Sequence, residues 1–189
     1  MKVLVTGGVR SGKSRHAEEL LTTPDGESRP VTYVAPGPTL EEDDDPDWAA
    51  RLAAHRARRP ASWTTLETRD LPAALLGAGG HGAGDDAGHA VLVDCLGTWL
   101  TAVLDERGLW EAPSPQVSEV VDGLLDEVVT ALRATPADVV LVTNEVGLGV
   151  VPAHRSGRLF RDLLGTVNQR LAAACDEVHL VIAGRVLVL

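Results

Sequence analysis

Short apolar runs alternate along the chain with stretches whose apolar residues recur at the helical period. Residues 2–6 (Lys2, Val3, Leu4, Val5, Thr6) read as a first strand, followed by a glycine-rich turn and a helix over 13–22. A second strand, Val31 to Ala35, stops at Pro36-Gly37-Pro38. The acidic run Glu41 to Asp45 leads into Pro46, which predicts a helix over 46–58 that ends before Pro60. Ala90 to Val93 form a buried strand closed by the carboxylate of Asp94. Further helices are expected over 97–106 and 116–134, the second with Val117, Val120, Val121, Leu124, Leu125, Val128 and Leu132 on one face. Residues 138–143 read as a strand, and 156–175 as a helix marked by Leu159, Phe160, Leu163, Val167 and Leu171. The last strand, 178–183, turns at Gly184-Arg185 into Val186 to Leu189. Such alternation predicts an α/β architecture with a mostly parallel sheet flanked by helices, in one domain spanning 1–189. The Gly/Ala-rich stretch 77–90 is expected to be a mobile surface loop.

Composition narrows the function. The 189 residues carry 27 acidic and 17 basic side chains, a net charge of -10 that repels a phosphate backbone and disfavours a nucleic-acid binder. No apolar run reaches the ~20 residues of a membrane span, and no stretch has the form of a signal peptide. A cytoplasmic protein is expected. Cys95 and Cys175 stand apart in apolar contexts and are expected to be buried free thiols.

The first strand and helix flank Gly7-Gly8-Val9-Arg10-Ser11-Gly12-Lys13-Ser14, which fits G-x-x-x-x-G-K-[ST] in the strand–loop–helix setting the motif requires. Its glycines let successive backbone N–H groups turn inward toward phosphate oxygens. Lys13 is expected to reach the β- and γ-phosphates, and the Ser14 hydroxyl to hold Mg²⁺. Asp94, ending an apolar strand, has the form of the second metal-holding element of such proteins. No Asn-Lys-x-Asp element for reading guanine follows the later strand, where Thr143-Asn144-Glu145-Val146 stands instead.

A second constellation lies in the helix over 46–58. Arg51, Arg56, Arg58 and Arg59 crowd around His55, and Trp48, Leu52 and His55 fall on one helical face. These residues fit a solvated amphipathic helix. Such charge runs are usually solvated, but they also fit an anion site whose imidazole acts as base or nucleophile, since a histidine phosphoramidate passes its group onward readily. Chemistry by itself leaves both readings open.

Val5-Thr6 and the phosphate loop continue into Arg15-His16-Ala17-Glu18, and this start closely resembles the bifunctional adenosylcobinamide kinase / adenosylcobinamide-phosphate guanylyltransferase family of cobalamin synthesis. The likeness extends through Thr32–Ala35, His55-Arg56 with Arg59-Pro60, Trp63–Glu67 and Val93–Leu96. It then takes in Val142–Pro152, Phe160–Leu163 and Asn168–Ala172. The resemblance implies two reactions. ATP or GTP would phosphorylate the aminopropanol hydroxyl of adenosylcobinamide. GMP from GTP would then pass through a histidine, here His55, onto the new phosphate to give adenosylcobinamide-GDP. It places nucleotide contacts at Gly7, Gly8, Val9, Arg10, Ser11, Gly12, Lys13 and Ser14, at Val34, Ala35 and Pro36, at His55, Arg56, Ala57 and Arg58, and at Glu67 and Asp94. It further implies a RecA-like phosphate-loop fold and a homotrimer.

Two other readings fit the motifs. One is a plain small-molecule kinase in which His55 only steadies phosphates. The other is a GTP-binding module without turnover. Asn144, Glu145 and Arg161 match family blocks, but their side chains suggest no role by chemistry, and the corrinoid contacts are not legible.

Overall fold

The architecture follows from a period-two alternation in strands that are covered on both faces. The structure, a computed structural model, describes residues 1–22, 29–39, 41–42, 45–77 and 88–189, with the backbone alone at Trp48 and Arg51. Most of the predicted 77–90 loop, including His81, and the Trp48 side chain lie outside the described residues. In chain order the elements are β1 (Lys2–Gly7), α1 (Lys13–Glu19), β2 (Val31–Ala35), α2 (Pro46–Arg58), β3 (Thr64–Glu67), α3 (Leu71–Gly77) and β4 (Ala90–Asp94). They continue with α4 (Leu96–Glu106), α5 (Ser114–Ala134), β5 (Asp138–Val142), α6 (Arg155–Ala172), β6 (Glu177–Ile182) and β7 (Arg185–Val188).

The strands form a seven-stranded sheet in the order β3-β2-β4-β5-β1-β6-β7. Every neighbouring pair is parallel except β6 and β7, which form a hairpin. Side chains of a strand alternate between faces. Leu4, Val91, Val93, Val139 and Leu141 therefore meet α3–α6 on one face. Val3, Val5, Leu92, Val140 and Val142 meet Ala17 and Leu21 on the other. This order interposes β5 between the phosphate-loop strand β1 and the Asp94 strand β4, in keeping with the RecA-like arrangement. With strands about 4.8 Å apart, the tips of β1 and β4 lie about 10 Å from each other, on the side where a parallel sheet presents its ligand sites.

The hydrophobic pattern does not announce β3 and α3. All four β3 residues are exposed at the sheet edge, so no buried alternation marks them. The seven residues of α3 bury only Leu71, Ala74 and Leu75, too few for a helical period to emerge. Helix α1 stops at Glu19 rather than running to residue 22, and α6 ends at Ala172 rather than 175. Both cysteines are free but only half-buried, a correction to the expected buried thiols.

Helix α2 differs from the others. Asp45 caps it by accepting the Asp47 backbone N–H over 2.9 Å, with Pro46 in the first turn. None of its described side chains is buried; Leu52 and His55 are half-buried. Its C-terminal turn is held to the sheet and to α1 by polar contacts.

Candidate functional site

The loop after β1 curls as its glycines permit. Gly12, at φ 98°, and Arg10, at φ 57°, are left-handed, and Gly12 accepts the His16 N–H over 3.0 Å as α1 begins. Gly7 is set by close approach, since a Cβ there would lie 2.4 Å from the Val181 carbonyl oxygen. Two neighbours brace the loop. Gly184 N–H of the β6–β7 turn donates to Ser11 O over 2.8 Å, and Glu145 N–H donates to Gly7 O over 3.1 Å. Lys13 is buried and folds back to donate to Gly8 O at 3.3 Å. The buried Ser11 hydroxyl has no hydrogen-bond partner among the described residues.

Asp94 sits at the tip of β4 with its side chain 8% exposed. Its Oδ2 accepts the Tyr33 hydroxyl over 3.2 Å. Burial foremost, and then the Asp94 charge, push the phenol above its ordinary value, so Tyr33 stays a neutral donor. The Arg59 guanidinium lies over the Tyr33 ring, 3.5 Å from its centroid. Arg59 also donates to His55 O at 3.1 Å, satisfying a carbonyl at the end of α2, and to Thr65 Oγ1 at 2.9 Å.

These contacts bring His55 over the sheet, its Nδ1 3.8 Å from Asp94 Oδ2. Arg58 Nη2 lies 3.2 Å from the same nitrogen. Arg58 in turn grips Glu18 of α1 with both arms, Nη2 to Oε1 at 3.1 Å and Nε to Oε2 at 3.3 Å, which raises the guanidinium pKa. Burial is the main cause that lowers the His55 pKa; Asp94 opposes it and Arg58 adds to it. The imidazole is therefore neutral at neutral pH, the state a nucleophile needs.

Of the residues singled out from sequence, the structure groups His55, Arg58 and Asp94, linked to the phosphate-loop helix through Glu18. Arg56 points elsewhere and pairs with Glu67 at 2.6 Å, both half exposed. Ala57 is exposed, and the Val34 side chain is fully buried, so Val34 can meet a ligand only through its backbone. Glu18, Tyr33 and Arg59 complete the cluster; the sequence set Arg59 among the arginines around His55 and Glu18 and Tyr33 within the family-like blocks, but gave Glu18 and Tyr33 no part in the site. For Tyr33 the further signal in the sequence is its place two residues before the end of its strand.

The donor set fits a magnesium ion shared with nucleotide phosphates. Asp94 Oδ1 and the Ser14 hydroxyl make no hydrogen bond among the described residues, and the buried Ser11 hydroxyl of the same loop is likewise unpaired among them. Among the described residues no three His, Cys, Asp or Glu side chains form a cage of their own.

A parallel sheet with a strand–G-x-x-x-x-G-K-S–helix unit and a carboxylate at a nearby strand tip defines a nucleotide-using P-loop enzyme. Residues 3–189 match the family described as cobinamide kinase / cobinamide phosphate guanyltransferase (CobU), and the chain belongs to that family. It is 43% identical to the bifunctional adenosylcobalamin biosynthesis protein CobU of Salmonella typhimurium over 97% of each chain. The corresponding CobU of Escherichia coli is 40% identical, again over 97% of each chain. The bifunctional adenosylcobalamin biosynthesis protein CobP of Pseudomonas aeruginosa is 38% identical, over 97% of this chain and 94% of its own. Among solved structures, a KaiC-like protein from Pyrococcus horikoshii aligns with TM-score 0.41 and 16% identity, covering 95% of this chain and 69% of that one. No helix among the described residues is long and apolar enough to cross a membrane.

Proposed function

We propose that the protein catalyses both reactions of the family on one domain, using His55 as a covalent carrier of GMP. ATP or GTP phosphorylates the aminopropanol hydroxyl of adenosylcobinamide. His55 then takes GMP from GTP, releasing pyrophosphate, and hands it to the new phosphate to give adenosylcobinamide-GDP. The observation that carries this reading is a neutral His55 held beside Asp94 and Arg58 and tied through Glu18 to the phosphate-loop helix.

In this reading the N–H groups of Gly7 to Ser14 cradle the phosphates, and Lys13 offsets the charge that builds on them. Ser14 and Asp94 would hold Mg²⁺, whose role is to neutralise the phosphate oxygens. Val34, Ala35 and Pro36 offer backbone groups at the β2 tip. Arg56, Ala57 and Arg58 flank the nucleotide, with Glu67 behind Arg56. In the covalent step a histidine nitrogen bonds to the α-phosphorus while the bond to the β-phosphate oxygen breaks. That electron pair leaves with pyrophosphate. We further propose a cytoplasmic homotrimer that binds no nucleic acid.

The test is incubation of the protein with Mg²⁺ and GTP labelled at the α-phosphate, with His55→Ala alongside. Label that survives base, is lost in acid and is missing from His55→Ala is the expected result. An unlabelled wild type that still binds GTP would leave only the plain kinase or the non-catalytic module.

A further inference from the structure

We propose that Glu18 is a positioning residue that keeps Arg58 against His55 and so restrains the imidazole until a triphosphate draws Arg58 away; this rests on His55 being the GMP acceptor. Glu18 is only 9% exposed and lies on α1, just over one turn beyond Lys13. Its two oxygens take both arms of Arg58, and the same Nη2 reaches His55 Nδ1 at 3.2 Å.

A guanidinium has donors and no acceptor. The contact therefore requires a lone pair on His55 Nδ1 and leaves the ring proton on Nε2. Asp94 Oδ2, 3.8 Å from Nδ1, is too distant to hold a proton there by a hydrogen bond. Neither nitrogen can then attack phosphorus, because one lone pair is capped and the other nitrogen is protonated. Attack through Nδ1 requires Arg58 to withdraw. Attack through Nε2 requires the proton to move to Nδ1, the place Arg58 occupies. Both routes begin with the same displacement.

A triphosphate is the natural competitor for Arg58. It offers more charge and more acceptor oxygens than one carboxylate, in a geometry that suits a two-armed donor. Glu18 and nucleotide therefore compete for one guanidinium, and the imidazole is released when nucleotide wins. Such competition raises the GTP concentration needed for half-maximal reaction and leaves the rate at saturation nearly unchanged. A Glu18 that merely supported α2 would have the opposite signature, since its loss would weaken nucleotide use.

Single-turnover labelling of His55 from α-labelled GTP, in wild type, Glu18→Gln and Glu18→Asp, separates the two. The expected result is a half-saturating GTP concentration about three- to fivefold lower in both variants, with saturated rates within about twofold of wild type. An unchanged or raised half-saturation in variants that melt like wild type overturns the proposal. ¹⁵N-histidine NMR of the nucleotide-free wild type gives a second reading that needs no label and no variant. His55 protonated on Nε2 is expected, and protonation on Nδ1 overturns the restraint. Wild type that shows the Nε2 tautomer but never labels would instead remove the GMP-acceptor reading, and this proposal with it.

Discussion

Tyr33 and Asp94 lie 61 positions apart in the chain, and from the middle of β2 the phenol reaches the tip of the adjacent strand β4, where it donates to Asp94 Oδ2 over 3.2 Å. The bond fixes one carboxylate oxygen and leaves the other available to a ligand. It also places the ring on which Arg59 stacks, so one tyrosine links the strand tip to the end of α2.

Tyr33→Phe keeps the ring and removes the donor. The buried carboxylate loses a charge-assisted partner, and we expect a loss of about 1–2 kcal/mol in stability, read from urea denaturation. A Phe variant as stable as wild type would show that water replaces the phenol at no cost.

The acid limb of His55 labelling should lie below pH 6.5. Burial, the leading cause, lowers the imidazole pKa from its ordinary 6.5. The neutral, nucleophilic form is thus already dominant at pH 6.5, and protonation depletes it only as pH falls further through the lowered value. A rate profile of labelling between pH 5 and 8 checks this, and a half-point above 6.5 would contradict it.

Gly7→Ala should damage the fold as well as the site. The added methyl would sit 2.4 Å from the Val181 carbonyl oxygen and 2.7 Å from Ser11 Oγ, so β1 and β6 would have to part or the phosphate loop to shift. A cost of about 2–4 kcal/mol in thermal or urea unfolding is expected. Gly8→Ala meets nothing within 4 Å and is the matched control.

Asn168 ties α6 to the strand tip beside the phosphate loop. Its Oδ1 accepts the hydroxyl of fully buried Thr143 over 2.6 Å, and its Nδ2 donates to Asn144 O over 3.0 Å. Asn168→Ala strands both groups, for an expected loss of about 2–3 kcal/mol. Asn168→Asp keeps the acceptor and loses the donor, so it should fall between Ala and wild type in the same unfolding assay.

Half-buried Cys175 should react slowly with alkylating reagents. Burial pushes its thiol up to about 12, so near pH 8 about one part in ten thousand is thiolate. Mass-spectrometric timing of iodoacetamide addition should show native Cys175 modified far more slowly than in the unfolded chain. Equal rates would refute the shift.

Local order was largely readable in the sequence, because it depends on neighbours a few residues away. The unbroken apolar runs Val3–Val5 and Val139–Val142, the helical face of α5, the Asp45-Pro46 start of α2 and the phosphate loop all rest on such short-range rules. Asp94 could be named because a carboxylate closing an apolar strand, which elsewhere often serves as a helix cap, has the form of the metal-holding element in a chain that carries a phosphate loop. The edge strand β3 and the short helix α3 escaped because burial, the source of any periodic signal, is absent in one and brief in the other.

The sequence by itself therefore determined the parallel α/β plan, the phosphate-binding loop and, through its resemblance, the family. Only the tertiary structure decided which side chains meet. The strand order places β2 beside β4, which brings Tyr33 to Asp94. It also sets α2 where Arg58 reaches Glu18, 40 positions earlier in the chain, and where His55 faces Asp94. Helix α2 buries little, so its own pattern could not foretell its seat. Long-range ion pairs and hydrogen bonds fix that seat, and no local periodicity encodes them.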